Sequence, residues 1–203
     1  MRDCVSIYET EDTRVKIYVD EDPIGPEEYS RLGKLWIFHK RHCFGDKPTV
    51  KASDFSGWDE MEEHLVKEEN AGIVLPVFML DHSGITISTS SFSCPWDSGR
   101  VGFIWCSVDD LKKEYSVEDL TPEIVEKAQR VLESEIKTWD QWLTGDVYVF
   151  ETYTLIRKDD GVFEADEFTD CCGGFYGSEK DDIVHLLEHA LGEEGAKKAK
   201  QVK

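Results

Sequence analysis

Three segments decide the fold: IVLPVFML at 73–80, ITIST at 85–89 and GFIWC at 102–106. The first and last are apolar runs shorter than the roughly 18 residues a bilayer requires, so they read as buried strands. Residues 85–89 alternate apolar with small polar side chains, the pattern of a half-exposed strand, and His82, Ser83 and Gly84 supply the turn before it. From 71 to 108 the only Asp, Glu, Lys or Arg residues are Asp81, Asp97 and Arg100. This segment is the expected core.

On its N-terminal side, Cys4–Glu9 and Val15–Val19 flank a polar turn and form a hairpin pattern, which Asp22, Pro23, Gly25 and Pro26 then break. Lys34–Phe38 reads as a further strand. Trp58–Val66 carries apolar side chains at 58, 61, 65 and 66, a short amphipathic helix with Asp54 or Ser56 placed to cap it. Beyond the core, Thr121 and Pro122 form a helix start, and the apolar positions from Ile124 to Leu143 recur at helical spacing up to Gly145. Residues 147–156 and 162–168 read as a hairpin turning at Asp159, Asp160 and Gly161. The last helix is expected over 178–191, capped by Ser178 or Asp181 and stopped by Gly192. The reading is an α+β fold: a single domain over 1–192, largely antiparallel sheet with packed helices, followed by a disordered Lys-rich tail at 193–203.

The 203 residues include 43 acids and 23 bases, a formal charge of −20. Residues 1–70 carry 17 acids and 10 bases, and 109–203 carry 24 and 12, so the surplus flanks the core. A field of that sign repels nucleic-acid phosphate and anionic lipid, which argues against direct nucleic-acid or membrane binding. Duplex DNA carries one charge per roughly 1.7 Å, so twenty charges match about 34 Å of duplex, enough to imitate a short piece of DNA. The opening residues show no secretory pattern, and the six cysteines form no Cys-x-x-Cys pair, so a chain of the cytoplasm with reduced thiols is expected.

HSGITIST at 82–89, FSCPWDSGRVGFI at 92–104, TGDVY at 144–148 and GFYG at 174–177 together resemble an uncharacterised family of small proteins from bacteriophages and other mobile elements. The family supplies no catalytic assignment. It departs at Arg100, where an uncharged polar residue is expected, and at Cys172 and Gly173, where cysteine then tryptophan is expected. The resemblance implies an accessory protein of the infected host cell's cytoplasm, of a counter-defence type such as anti-restriction or anti-CRISPR, that binds a basic, DNA-binding surface.

Such a role requires rows of carboxylates on helices. Glu60, Glu62 and Glu63, with Glu114, Glu118, Asp119, Glu123 and Glu126, are the candidate binding residues; the plainer reading is a solvated helix face. A second function class is a small enzyme with Cys94 as nucleophile, His82 as base and Asp97 as orienting carboxylate. The plainer reading there is a tight turn in which Asp97 accepts backbone N–H groups and Trp96 covers the core edge. His39, His42 and Cys43 with Cys171 or Cys172 lack standard zinc spacing. His185, Glu188 and His189 fit an inverted zinc-peptidase order, but the helix's apolar stripe places both imidazoles toward solvent. Neither a metal nor a cofactor is expected, and no phosphate loop or dinucleotide fingerprint is present.

Overall fold

The computed structural model describes residues 4–157, 163–177 and 183–203. Along the chain run β1 (Cys4–Glu9), β2 (Thr13–Val19), β3 (Lys34–Ile37), α1 (Trp58–Lys67), β4 (Ala71–Asp81), β5 (Ile85–Ser88) and β6 (Ser98–Ser107). Then follow α2 (Val108–Tyr115), α3 (Pro122–Thr144), β7 (Val147–Arg157), β8 (Phe163–Tyr176), α4 (Ile183–Lys198) and β9 (Lys200–Gln201). The fold is α+β with antiparallel sheets and packed helices. The chain forms two compact units, one of residues 25–140 and one of residues 1–24 with 141–203.

In the 25–140 unit the sheet order is β3-β6-β4-β5, every pairing antiparallel. All seven residues from Val101 to Ser107 are buried, because β6 lies inside the sheet and is covered on both faces. One face places Trp36, Phe103 and Trp105 against Met61 and Leu65 of α1. Strand alternation puts Leu35 and Ile104 on the other face. Gly102 is the close-approach point: a Cβ there would stand 1.9 Å from the Trp36 carbonyl oxygen.

Helix α3 buries Ala128, Leu132, Ile136 and Trp139, one stripe at helical spacing. Its carboxylates reach both sheet edges. Glu135 accepts the N–H groups of Leu32 and Gly33 at 2.6 and 2.9 Å, just before β3. Asp140 accepts the Ile87 N–H at 2.7 Å and the Thr86 hydroxyl at 2.6 Å on edge strand β5. Burial pushes the Glu135 carboxyl above its ordinary value, against the two N–H bonds that favour its charge. Nearby, the Arg31 guanidinium grips Asp46 through two bonds of 3.0 and 2.9 Å, and Asp46 also takes the Leu35 N–H at 2.7 Å. Burial raises the Asp46 carboxyl, but the Arg31 bond, the Leu35 N–H and the attendant charges together hold it below the usual value.

Helix starts differ from expectation in chemistry more than in place. α1 starts at Trp58 after Gly57, and neither Asp54 nor Ser56 caps it with a side chain. Instead Glu60 reaches back to the Ser56 N–H at 2.6 Å, while Asp54 closes a short 3-10 turn by accepting the Lys51 N–H at 3.1 Å. Helix α2 was not anticipated, although Ser107 caps it by accepting the Asp110 N–H at 3.1 Å, a Ser-x-x-Asp signal readable in the sequence. Thr121 does serve α3, accepting the Ile124 N–H at 3.4 Å.

In the other unit the sheet order is β8-β7-β2-β1-β9, and α4 packs Leu186 and Leu187 onto Val15, Ile17 and Phe150. Strand β8 runs on to Tyr176, beyond the expected end at Phe168. The strand passes through Gly173 and Gly174. Gly174, at φ +79°, lies where the β7–β8 register shifts, a backbone state that glycine adopts without strain. The turn expected at 159–161 and the caps expected at Ser178 and Asp181 lie outside the described residues. Gly192 interrupts α4 at φ +73°, but the helix resumes as far as Lys198. Residues 193–203 are therefore not a disordered tail: Lys200 and Gln201 pair with Glu9 and Tyr8, and the Val202 N–H bonds the Ile7 carbonyl at 2.9 Å. The outer edge of β1 offers unpaired backbone groups, and the chain end satisfies them.

Replacing Glu135 with Ala strips the Leu32 and Gly33 N–H groups of their partner at a partly buried position, which costs about 1–3 kcal/mol. Urea unfolding should show that loss, and the Glu133→Ala change on the exposed face of the same helix should leave the midpoint nearly unchanged.

Candidate functional site

The eight candidate carboxylates all fall in the 25–140 unit, and the structure divides them by what they already hold. On α1, Glu60 holds Ser56, Glu62 pairs with Arg100 at 3.1 Å and Glu63 with Lys67 at 2.8 Å. On α3, Glu126 pairs with Arg130 one turn on. Glu114, Glu118, Asp119 and Glu123 are exposed and make no side-chain hydrogen bond or ion pair among the described residues. These four follow one another through the end of α2, the connection and the first turn of α3. Seven acids and two bases, Lys112 and Lys113, occupy residues 109–126. The surplus itself is shared by both units: 22 acids against 13 bases in 25–140 and 21 against 10 elsewhere.

A second constellation gathers at the end of β4. His82 Nδ1 lies 2.9 Å from Asp97 Oδ2, and the Cys94 thiol donates to the same oxygen at 3.8 Å. The three residues singled out for nucleophilic chemistry therefore converge, but on the carboxylate. A thiol-imidazole pair requires the imidazole to take the thiol proton, whereas here Asp97 stands between them. The place is also open, with the His82 side chain 70% and that of Asp97 40% exposed. One residue earlier, Asp81 accepts Arg41 at 2.6 Å and His42 Nε2 at 2.9 Å, and the His39 ring stacks on that of His42 at 4.9 Å. The Asp81 N–H bonds the Asp97 carbonyl at 2.9 Å, joining the two clusters through the backbone.

Trp96 corrects an expectation. It does not cover the core edge; it is 91% exposed, between Pro95 and a carboxylate fixed by His82 and Cys94. The Cys-Pro-Trp-Asp turn signal places an aromatic at a loop tip, but only the folded backbone tells an inward tip from an outward one. Cys106 is the opposite case, a thiol inside β6 that burial, with Asp110 and Glu135 adding, pushes up to about 12, so it is inert at neutral pH.

Among the described residues no group of three or more His, Cys, Asp and Glu side chains is arranged to hold a metal ion. His39 and His42 face each other, and His42 is engaged by Asp81. In α4, His185 and His189 are both exposed, as expected; His185 lies beside Glu188, and one side of the His189 ring meets Phe150 and Phe175 at 5.9 and 5.5 Å. No helix among the described residues is long and apolar enough to cross a membrane. No protein-family model matches the chain, nor does any curated protein or solved structure.

The β4 corner gives a pH dependence with a definite sign. Desolvation, then the neighbouring His42 and Arg41, lowers His39 below its ordinary 6.5. The His42 hydrogen bond, then the Arg41 and histidine charges, lowers Asp81 below 3.8 against desolvation. A lowered histidine resists protonation only in the folded state, so acidification through 6.5 reduces stability, and the Asp81 contribution is lost further down. Unfolding followed from pH 7.5 to 5 should show a falling midpoint, and His39→Gln should flatten that slope.

Proposed function

We propose that this chain is an acidic, non-catalytic interaction protein that binds a basic surface on another protein, the kind of surface DNA occupies, and acts as a counter-defence factor of a phage or mobile element within the host cell. The observation that carries the reading is the row Glu114, Glu118, Asp119 and Glu123, exposed and without side-chain partners among the described residues, in a chain of net charge −20. Carboxylates held by Arg100, Lys67 or Arg130 already have their counter-charge; those of the α2–α3 shoulder project an unneutralised field. That field steers a cationic partner and falls off over about 10 Å at 0.1 M salt. The same field repels nucleic acid and anionic lipid, which favours a protein partner.

The test is capture by the tagged chain from infected cells. A DNA-binding protein should be retained, released by rising salt and displaced by duplex DNA. Reversing the row (Glu114→Lys, Glu118→Lys, Asp119→Lys and Glu123→Lys together) should weaken retention about ten-fold or more. Retention indifferent to salt and to the four reversals would exclude charge imitation.

The meeting of Cys94, His82 and Asp97 in one place supports one second reading, a thiol enzyme, in which the imidazole would have to leave Asp97 and turn to the thiol. It requires Cys94 to alkylate faster at pH 7 than a free cysteine, with loss of that excess in His82→Ala. An ordinary rate removes the enzyme and leaves the trio as the brace of the Trp96 turn.

A further inference from the structure

The loop tip at 94–98 is an exposed turn of the 25–140 unit braced by several bonds. Asp97 is held by His82 and Cys94 through its side chain and by the Asp81 N–H through its carbonyl, while the Ser98 hydroxyl closes onto the Cys94 carbonyl. Pro95 fixes one further backbone angle. Trp96 emerges from this brace 91% exposed, so the molecule spends four local bonds and a proline on displaying a large aromatic ring to solvent. Tryptophan, with tyrosine and arginine, is enriched among the residues that dominate protein interfaces.

The rest of the chain shows what an aromatic beside a carboxylate receives here. Lys34 Nζ lies 4.7 Å from the centre of the Trp105 ring and 3.9 Å from Asp110. The Arg100 guanidinium lies 4.3 Å from the centre of the Phe103 ring and 3.1 Å from Glu62. In both, one cation satisfies a ring and a carboxylate together, because the negative face of the ring and the carboxylate attract the same charge. Trp96 and Asp97 bring the same two groups to the surface as neighbours in the chain, the tryptophan 91% and the acid side chain 40% exposed, with one carboxylate oxygen already holding His82 and Cys94.

We propose that Trp96 is the anchor of a docking surface and that it receives an arginine side chain of a basic partner protein, the guanidinium stacking on the indole beside Asp97. Arginine fits better than lysine because its planar, weakly hydrated head stacks on a ring and bonds a carboxylate at once. A second copy of this chain is disfavoured as the occupant, since each copy brings −20. The proposal takes the partner's positive charge from the proposed function above, and adds where the partner is gripped and by which side chain.

The probe is a nona-arginine peptide titrated calorimetrically into the full chain at fixed ionic strength, with nona-lysine in parallel. Trp96→Ala should weaken nona-arginine binding about three- to five-fold and nona-lysine binding less, with Trp96→Phe retaining most of the affinity. The Trp96 indole N–H resonance should move on titration. Equal affinity for wild type and Trp96→Ala, an unmoved indole resonance, or a wild-type dimer that Trp96→Ala converts to monomer would overturn the proposal. The four charge reversals on the α2–α3 shoulder separate it from the broader reading. If they and added salt change nothing while Trp96→Ala still weakens nona-arginine, the acidic-surface reading fails and the anchor stands; if they weaken binding while Trp96→Ala does not, the reverse holds.

Discussion

Burial of β6 over Val101–Ser107 is the constraint from which the 25–140 unit follows. A strand buried on both faces needs cover on each: α1 lies over Trp36, Phe103 and Trp105, and α3 presents its own buried stripe while Glu135 and Asp140 secure the sheet edges. No room remains in such a strand for charge. The acids of this unit are consequently displaced to helices and connections, and an exposed carboxylate row is a product of how the core is layered as much as of composition.

Charge in this molecule then divides into what is used and what is left. Some acids are structural, such as Asp46 on Arg31 and Glu135 on two backbone N–H groups, where removing the partner leaves a buried polar group unsatisfied. Others are neutralised on the surface, where an exposed pair contributes little. Glu114, Glu118, Asp119 and Glu123 belong to neither set among the described residues, and all four are exposed. The proposed arginine anchor adds a short-range contact to their long-range attraction. The first governs encounter and the second residence, a division common to charged interfaces.

The corner at the end of β4 shows how residue types suggestive of catalysis serve another end. Cys94, His82 and Asp97 meet, as a nucleophilic site would require, but they meet on one carboxylate oxygen in an open place. Their geometry holds a turn and sets Trp96 in solvent. Asp81 with His42 and Arg41 repeats the device one residue away, so the loop at 38–46 and the loop at 89–97 are both fastened to the end of β4.

The sequence by itself determined the α+β class, the core strands, the long α3 helix with its Thr121 start, and the excess of acid outside the core. Those follow from local periodicity and from the exclusion of charge from buried strands. It also carried the Ser107–Asp110 start of α2, which short-range reading passed over. Only the tertiary structure decided the rest: that β8 continues through Gly174, that the chain end becomes a strand on β1, that Glu62 is taken by Arg100, and that Trp96 faces outward. Each of these depends on a partner distant in the chain. Glu62 is neutralised by Arg100, 38 positions away, and Cys4–Glu9 is completed by residues at the other terminus. Spacing along a sequence states which groups share a helix face, but it holds no information on which backbone edge or opposite charge the fold brings against them.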